Sequence, residues 1–105
     1  MGSKDFAIAR CFKALVEQKV ALREIRIFGS RDRGTATEDS DLDIFLSVSH
    51  CTREIEKYIS DCAWEAGFPV DVVVVPVVVD QERLEHGPLR DSAFIRNVFR
   101  EGIAV

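Results

Sequence analysis

The sequence predicts a mixed α/β (α+β) fold, in which a small mixed central sheet carries helices packed on it. Two observations lead to this prediction. Apolar residues recur at helical spacing in four stretches and form strand-like runs in three, and these stretches follow the order α-β-loop-β-α-β-α-α. The chain has 105 residues, of which 47% are hydrophobic and 30% charged, and this balance is typical of one globular domain spanning 1–105.

The clearest helix is predicted at 52–66, where apolar residues recur at steps of three and four. The stripe consists of Ile55, Tyr58, Ile59, Cys62, Ala63 and Ala66. Gly67 is a natural end for this helix. Trp64 lies off the stripe, so we expect it to be exposed and to lie at a partner surface.

Three further helices are predicted, the first at 4–19. A short helix at 80–86 has Asp80 as its cap, and a last helix at 92–101 ends at Gly102. One face of the last helix carries Ile95, Val98 and Phe99. Four helices are enough to cover a small sheet.

Three strands are predicted, at 22–28, 41–48 and 69–75. The run from Val72 to Val75 is β-branched throughout, and we expect it to be buried on both faces of the sheet. The stretch at 31–40 is polar and is predicted to be a loop.

Composition excludes several classes of protein. The net charge of −4 and a pI near 5.1 argue against a general nucleic-acid binder, which usually has a basic surface. Three cysteines without CxxC spacing exclude a fully paired disulfide framework and favour reduced, buried thiols in a cytoplasmic protein. The longest apolar run contains Asp71 and Pro76 and is too short for a membrane span, and no secretory signal is visible.

The first candidate for chemistry is the pair Asp41 and Asp43. Positions i and i+2 of a strand point to the same face, so the two carboxylates are expected to project side by side. Neighbouring carboxylates repel each other, and a hard divalent cation such as Mg²⁺ relieves that repulsion. Taken alone, Asp-x-Asp is more often the pattern of a solvent-exposed strand end.

Asp71 is the second candidate, because it interrupts a stretch otherwise suited to a core. If its strand lies beside that of Asp41 and Asp43, the three carboxylates converge. They would then form a two-cation site, or a cation site with a general base. The alternative is that Asp71 is the exposed start of its strand.

The third candidate is Gly29-Ser30, where a predicted strand ends. Free backbone N–H groups at such a turn suit phosphate oxygens, and the Ser30 hydroxyl can add a hydrogen bond. Arg31 and Arg33 can add charge-assisted hydrogen bonds. Taken alone, Gly-Ser is more often a tight turn.

The combination is more specific than its parts. Gly29-Ser30, ten intervening residues, Asp41-Leu42-Asp43-Ile44 and a later strand with a single Asp resemble the polymerase-beta-like nucleotidyltransferase superfamily. The stretch at 29–44 is similar to the minimal nucleotidyltransferases, its small bacterial and archaeal branch, and so is the closing stretch at 95–103. The resemblance covers nearly the whole chain.

The resemblance implies a polymerase-beta-like nucleotidyltransferase fold and transfer of AMP from ATP to a hydroxyl, with Mg²⁺ as cofactor. In that reading the phosphates are bound at Gly29 and Ser30 with help from Arg31 and Arg33. Asp41, Asp43 and Asp71 would be the catalytic residues and the metal ligands. Asp71 would also deprotonate the acceptor.

The chain departs from the family at Asp32, where an alanine is usual, and an acid there would weaken triphosphate binding. The acceptor must come from another molecule, because the chain has no room for an acceptor-binding domain. The resemblance implies a helical partner of the HEPN type, with this chain as antitoxin. Two alternatives are a non-catalytic module that neutralises a partner by contact, and a small-molecule nucleotidyltransferase completed by a homodimer.

Overall fold

A four-stranded mixed sheet lies at the centre of the molecule, as a computed structural model describing residues 3–28 and 41–105 shows. The helices are α1 (Ser3–Glu17), α2 (Arg53–Gly67), α3 (Gln81–His86) and α4 (Ala93–Glu101). The strands are β1 (Leu22–Phe28), β2 (Leu42–Val48), β3 (Val74–Asp80) and β4 (Ile103–Ala104). Two 3-10 turns lie at Phe68–Val70 and Pro88–Asp91. This architecture confirms the predicted fold class.

The strands are ordered β3-β2-β1-β4. β1 pairs antiparallel with both β2 and β4, whereas β2 and β3 are parallel and are connected through α2. A parallel pair needs such a crossover, because the chain must return to the same end of the sheet. β2 therefore lies inside the sheet, with a neighbour on each side.

Two apolar clusters cover the two faces of the sheet. The larger joins α1 and α2 to one face and includes Phe12, Ile44 and Ile59, all fully buried. The smaller joins α3 and α4 to the other face through Phe45, Leu84, Ile95 and Val98. Because β2 contributes to both clusters, its side chains are buried on both faces, which explains its nearly continuous apolar sequence.

Several predicted elements are confirmed. The first strand has the predicted bounds, and the second begins one residue later than predicted, at Leu42. In α2 the predicted stripe is buried or half-buried, and the Thr52 hydroxyl caps the helix by accepting from the Ile55 N–H. Asp80 caps α3 as predicted.

The third strand was predicted at 69–75, and this is wrong: β3 begins only at Val74. After Gly67 the chain makes a 3-10 turn that contains Pro69, and Asp71 follows with a left-handed backbone, φ 58°. The Asp71 N–H donates to the Phe68 carbonyl and the Val72 N–H to the Gly67 carbonyl, which is a Schellman motif. The residues predicted as the start of the strand form this helix end instead.

A glycine is required at position 67 by a close approach of the backbone. A Cβ atom there would lie 2.1 Å from the Val72 carbonyl oxygen. The turn that follows Gly67 also places Val73 outside the core, where its side chain is 62% exposed. The prediction that Val72 to Val75 are buried on both faces is therefore also wrong, since β3 is an edge strand.

The edge position of β3 explains how Pro76 fits within it. The Val73 carbonyl accepts from the Leu42 N–H, so odd-numbered residues of β3 direct their backbone groups towards β2. Pro76 is even-numbered and faces the free edge, where its missing N–H removes no hydrogen bond of the sheet.

Two further features of the structure differ from the sequence prediction. The sequence did not predict β4, a two-residue strand that pairs with Arg26 and Ile27 of β1. The thiols are not all buried: Cys62 is buried, Cys51 is half-buried and Cys11 is exposed. Cys11 lies beside, and not within, the buried face of α1.

Candidate active site

The candidate site lies at the end of the sheet where β1 finishes and β2 and β3 begin. Phe28, the last residue of β1, pairs with Asp43 of β2, and Asp43 is opposite Val75 of β3. The Leu42 N–H donates to the Val73 carbonyl at 2.8 Å and fixes the start of the parallel pair. This end of the sheet therefore brings the predicted aspartates of β2 next to the residues that precede β3.

Asp41 and Asp43 lie as the strand spacing predicts. Asp41 is exposed just before β2, and Asp43 is half-buried within it. Leu42 and Ile44 between and after them are fully buried in the larger apolar cluster. Because alternate residues of a strand point to opposite faces, burial of Leu42 and Ile44 in the larger cluster directs Asp41 and Asp43 away from that cluster.

The surroundings of Asp43 disfavour its charged form. Its pKa is raised above the ordinary value, first by burial and second by the negative charge of Asp41. Phe28 is its partner across the strand pair, and the Phe28 ring packs edge-on to Phe94 at 5.5 Å between centroids. A carboxylate in this position gains from a cation that binds it together with Asp41.

The donor set fits the magnesium ion implied by the family resemblance. Mg²⁺ prefers oxygen ligands and is usually held by one or two carboxylates together with substrate phosphates and water. Asp41 and Asp43 supply two such carboxylates, and their mutual repulsion would be relieved by the ion. These two residues could therefore hold the metal.

Asp71 does not join this pair in the way that was expected. It is exposed in the turn before β3. Within the part of the chain that is described, no three His, Cys, Asp or Glu side chains are placed to share a metal. Asp71 instead lines a cleft beside the free edge of β3.

This cleft, which we call the edge cleft, has a volume of about 430 Å³. Its lining includes Ala63, Trp64, Phe68, Asp71, Val73 and Pro76. Trp64 was predicted to be exposed, and it is 67% exposed. Phe68 was not predicted to be exposed here. Its position one helical turn after Trp64, off the apolar stripe, is a signal that could have predicted it.

The predicted phosphate-binding residues Gly29, Ser30, Arg31 and Arg33 lie outside the described residues, as does Asp32. Their roles remain predictions. Among the described helices, none is both long enough and apolar enough to cross a bilayer.

Comparison with known proteins places this site in context. A family model described as a nucleotidyltransferase domain matches residues 8–105. A chain from a crystal structure of a toxin–antitoxin with AMP-PNP is 21% identical, with a TM-score of 0.62 over 91% of this chain and 70% of that chain. A candidate nucleotidyltransferase from Sulfolobus solfataricus is 18% identical, with a TM-score of 0.49 over 99% of this chain and 87% of that chain. No curated protein matches the chain.

Proposed function

The chain belongs to the nucleotidyltransferase domain family, and from that premise we propose that it transfers AMP from ATP to a hydroxyl group of a partner protein. We further propose that the partner is a helical toxin of the HEPN type and that this chain is its antitoxin. The family membership confirms the resemblance seen in the sequence. The toxin–antitoxin neighbour with AMP-PNP, an analogue of ATP, supports the choice of an adenine nucleotide and of a toxin as partner.

The observation that carries the catalytic proposal is the pair Asp41 and Asp43 at the start of β2. Burial and the charge of Asp41 raise the pKa of Asp43, and acidic groups perturbed in this way are common at functional sites. Under the proposal these two side chains hold Mg²⁺, and Gly29, Ser30, Arg31 and Arg33 hold the triphosphate. When bound, the ion neutralises charge on the α-phosphate and on the departing pyrophosphate.

Asp71 has the acceptor-side role in this proposal. The hydroxyl oxygen of the acceptor forms a bond to the α-phosphorus, the bond between that phosphorus and the bridging oxygen breaks, and pyrophosphate leaves. The hydroxyl proton passes to the Asp71 carboxylate. Its position before β3, at the end of the sheet where β2 begins, supports this role, and its exposure lets an acceptor on another protein reach it from solvent.

The first test is thermal unfolding with ATP, with and without Mg²⁺. A ligand that binds only the folded state raises the free energy of unfolding by about 2.7 kcal/mol at 100 times its Kd. We expect this increase with ATP and Mg²⁺ together and little with either alone. The absence of a metal-dependent increase at millimolar ATP would overturn the catalytic proposal and favour the contact-only module.

The second test is transfer of labelled AMP to the partner protein. We expect label on the partner only in the presence of Mg²⁺ and the intact chain. Label on a small molecule in the absence of the partner would instead support the small-molecule alternative.

A further inference from the structure

We propose that the edge cleft is a docking surface for another protein, and that its occupant is a segment presenting a large apolar side chain next to Arg or Lys. This adds a docking surface to the proposed transfer reaction, whose acceptor would approach Asp71 at the same cleft, and its observations stand whether or not AMP is transferred. It assigns a binding surface and the chemistry of its partner, and both follow from the residues that line the cleft.

The first observation is the exposure of large apolar side chains at one place. Trp64 is 67% exposed and Phe68 is 66% exposed, and their rings stack at 5.1 Å between centroids. Two other exposed phenylalanines, Phe94 and Phe99, pack edge-on against Phe28 and Phe45. Trp64 and Phe68 differ from these because each stacks on another exposed ring, and not on a less exposed one. Exposed aromatic side chains of this kind are enriched at protein interfaces.

The second observation is the shape of the cleft and of the strand edge beside it. A volume of about 430 Å³ lies at the lower end of ordinary binding pockets and suits one or two side chains of a partner. Pro76 has no N–H to donate along the free edge of β3, so this edge is poorly suited to accept an added strand. Side-chain insertion is therefore the better mode of binding.

The third observation is the charge around the cleft. Among the described residues, the edge cleft is lined by one charged side chain, the acidic Asp71, and by no Lys, Arg or His. Asp61 is exposed on α2 one helical turn before Trp64 and adds a second acidic side chain next to the aromatic pair. Charge complementarity thus favours a basic partner. A second copy of this chain is disfavoured, because it would bring the same acidic surface and a net charge of −4.

The chain has one tryptophan, Trp64, so its fluorescence reports on the edge cleft directly. The probe is a synthetic amphipathic peptide with Leu on one face and Arg on the other. A second peptide has Glu in place of every Arg. We expect the Arg peptide to shift the emission to shorter wavelength in a saturable way that weakens with salt, and the Glu peptide to have no effect.

Variants distinguish binding at the edge cleft from non-specific binding elsewhere on the surface. Phe68→Ser, and Asp61→Asn combined with Asp71→Asn, should each weaken binding of the Arg peptide by at least about tenfold. Phe94→Ser is the matched control, because Phe94 is an exposed phenylalanine on α4 and does not line the cleft. It should leave the affinity unchanged.

Three results would overturn the proposal: equal binding of both peptides, binding of neither, or burial of Trp64 by dimerisation in sedimentation experiments. The assay contains no nucleotide and no metal. Its failure is therefore distinguishable from failure of the proposed transfer reaction.

Discussion

Asp43 holds a carboxyl group in a half-buried position next to the charge of Asp41, and both influences raise its pKa. The charged form is thus less stable in the folded state than in the unfolded chain. The resulting penalty is absent below the ordinary pKa of an aspartate and develops as the pH rises through the raised value. The penalty is complete once the pH lies above the raised pKa.

Replacing Asp43 by Asn should therefore leave the unfolding temperature at neutral pH unchanged or raise it. Transfer of AMP should fall by at least about 100-fold, because a metal ligand supplies several kcal/mol of transition-state stabilisation. Asp91→Asn, an exposed aspartate in a 3-10 turn, is the control that should change neither property. Normal transfer by Asp43→Asn would remove this residue from the metal site.

Asp71 combines a proposed chemical role with an unusual backbone. Its φ of 58° lies in the left-handed region, which Asn adopts readily and β-branched residues do not. Asp71→Asn should keep the turn and the binding of Mg-ATP while lowering transfer by at least about 100-fold, as loss of a general base does.

A second substitution separates chemistry from structure at this residue. Asp71→Val should lower the free energy of unfolding by about 1–2 kcal/mol, because a branched side chain strains the left-handed backbone. Chemical denaturation measures this change. If Asp71→Asn retained full transfer, Asp71 would be a residue of the turn and no more.

Asp80 connects three elements at the opposite end of the sheet from the candidate site. Its carboxylate accepts from the backbone N–H groups of Cys51 at 3.1 Å, Glu82 at 2.9 Å and Arg83 at 3.4 Å. These hydrogen bonds, that of Cys51 first, lower the pKa of Asp80. The ionised side chain thus joins the end of β3 and the start of α3 to the segment before α2.

Asp80→Ala should lower the unfolding temperature above the ordinary pKa range of aspartate. Because the folded-state pKa is lowered, this advantage of the parent is lost as the pH falls through that lowered value. Thermal unfolding of parent and variant across acidic pH measures the difference. Asp80→Asn serves as a control, since an amide oxygen can still cap α3 but does not titrate. A difference between parent and Asp80→Ala that stays the same from neutral to the lowest pH would contradict this explanation.

Elements whose boundaries depend on local signals could be predicted from the sequence, and those set by tertiary pairing could not. The bounds of β1 and the cap of α2 follow from residues within a few positions of each other. The run at 72–75 consists of valine alone, so nothing in it marks the residue where pairing with β2 begins. The start of β3 depends on the Schellman motif and on the approach of Gly67 to Val72.

The same distinction holds for the site within the whole molecule. The pairing of Asp41 with Asp43 depends only on a strand period of two, and the sequence predicts it correctly. The expected convergence of Asp71 depends on how the turn before β3 packs, and the structure directs Asp71 to the edge cleft. The cleft itself joins α2 to the edge of β3, and only Trp64 and Phe68 on its helical side leave a sequence signal.

Pro76 also has a consequence for solubility. The four residues before Pro76 and the three after it are all valine, Val72–Val75 and Val77–Val79. This is the composition of an aggregation-prone strand. Among the strands of the described residues, β3 is an open edge of the sheet, and the edge beyond β1 is covered by the two residues of β4. A short edge strand and an edge proline are both devices that prevent sheets of different molecules from joining.

Pro76→Thr should therefore convert the edge into an uninterrupted β-branched strand and make the chain aggregate at concentrations where the parent stays in solution. Light scattering and thioflavin T fluorescence against protein concentration measure the change. Pro88→Thr, at the start of a 3-10 turn away from the sheet, is the control and should behave as the parent. One missing hydrogen-bond donor at the middle of the exposed strand would then limit the growth of fibrils by this chain.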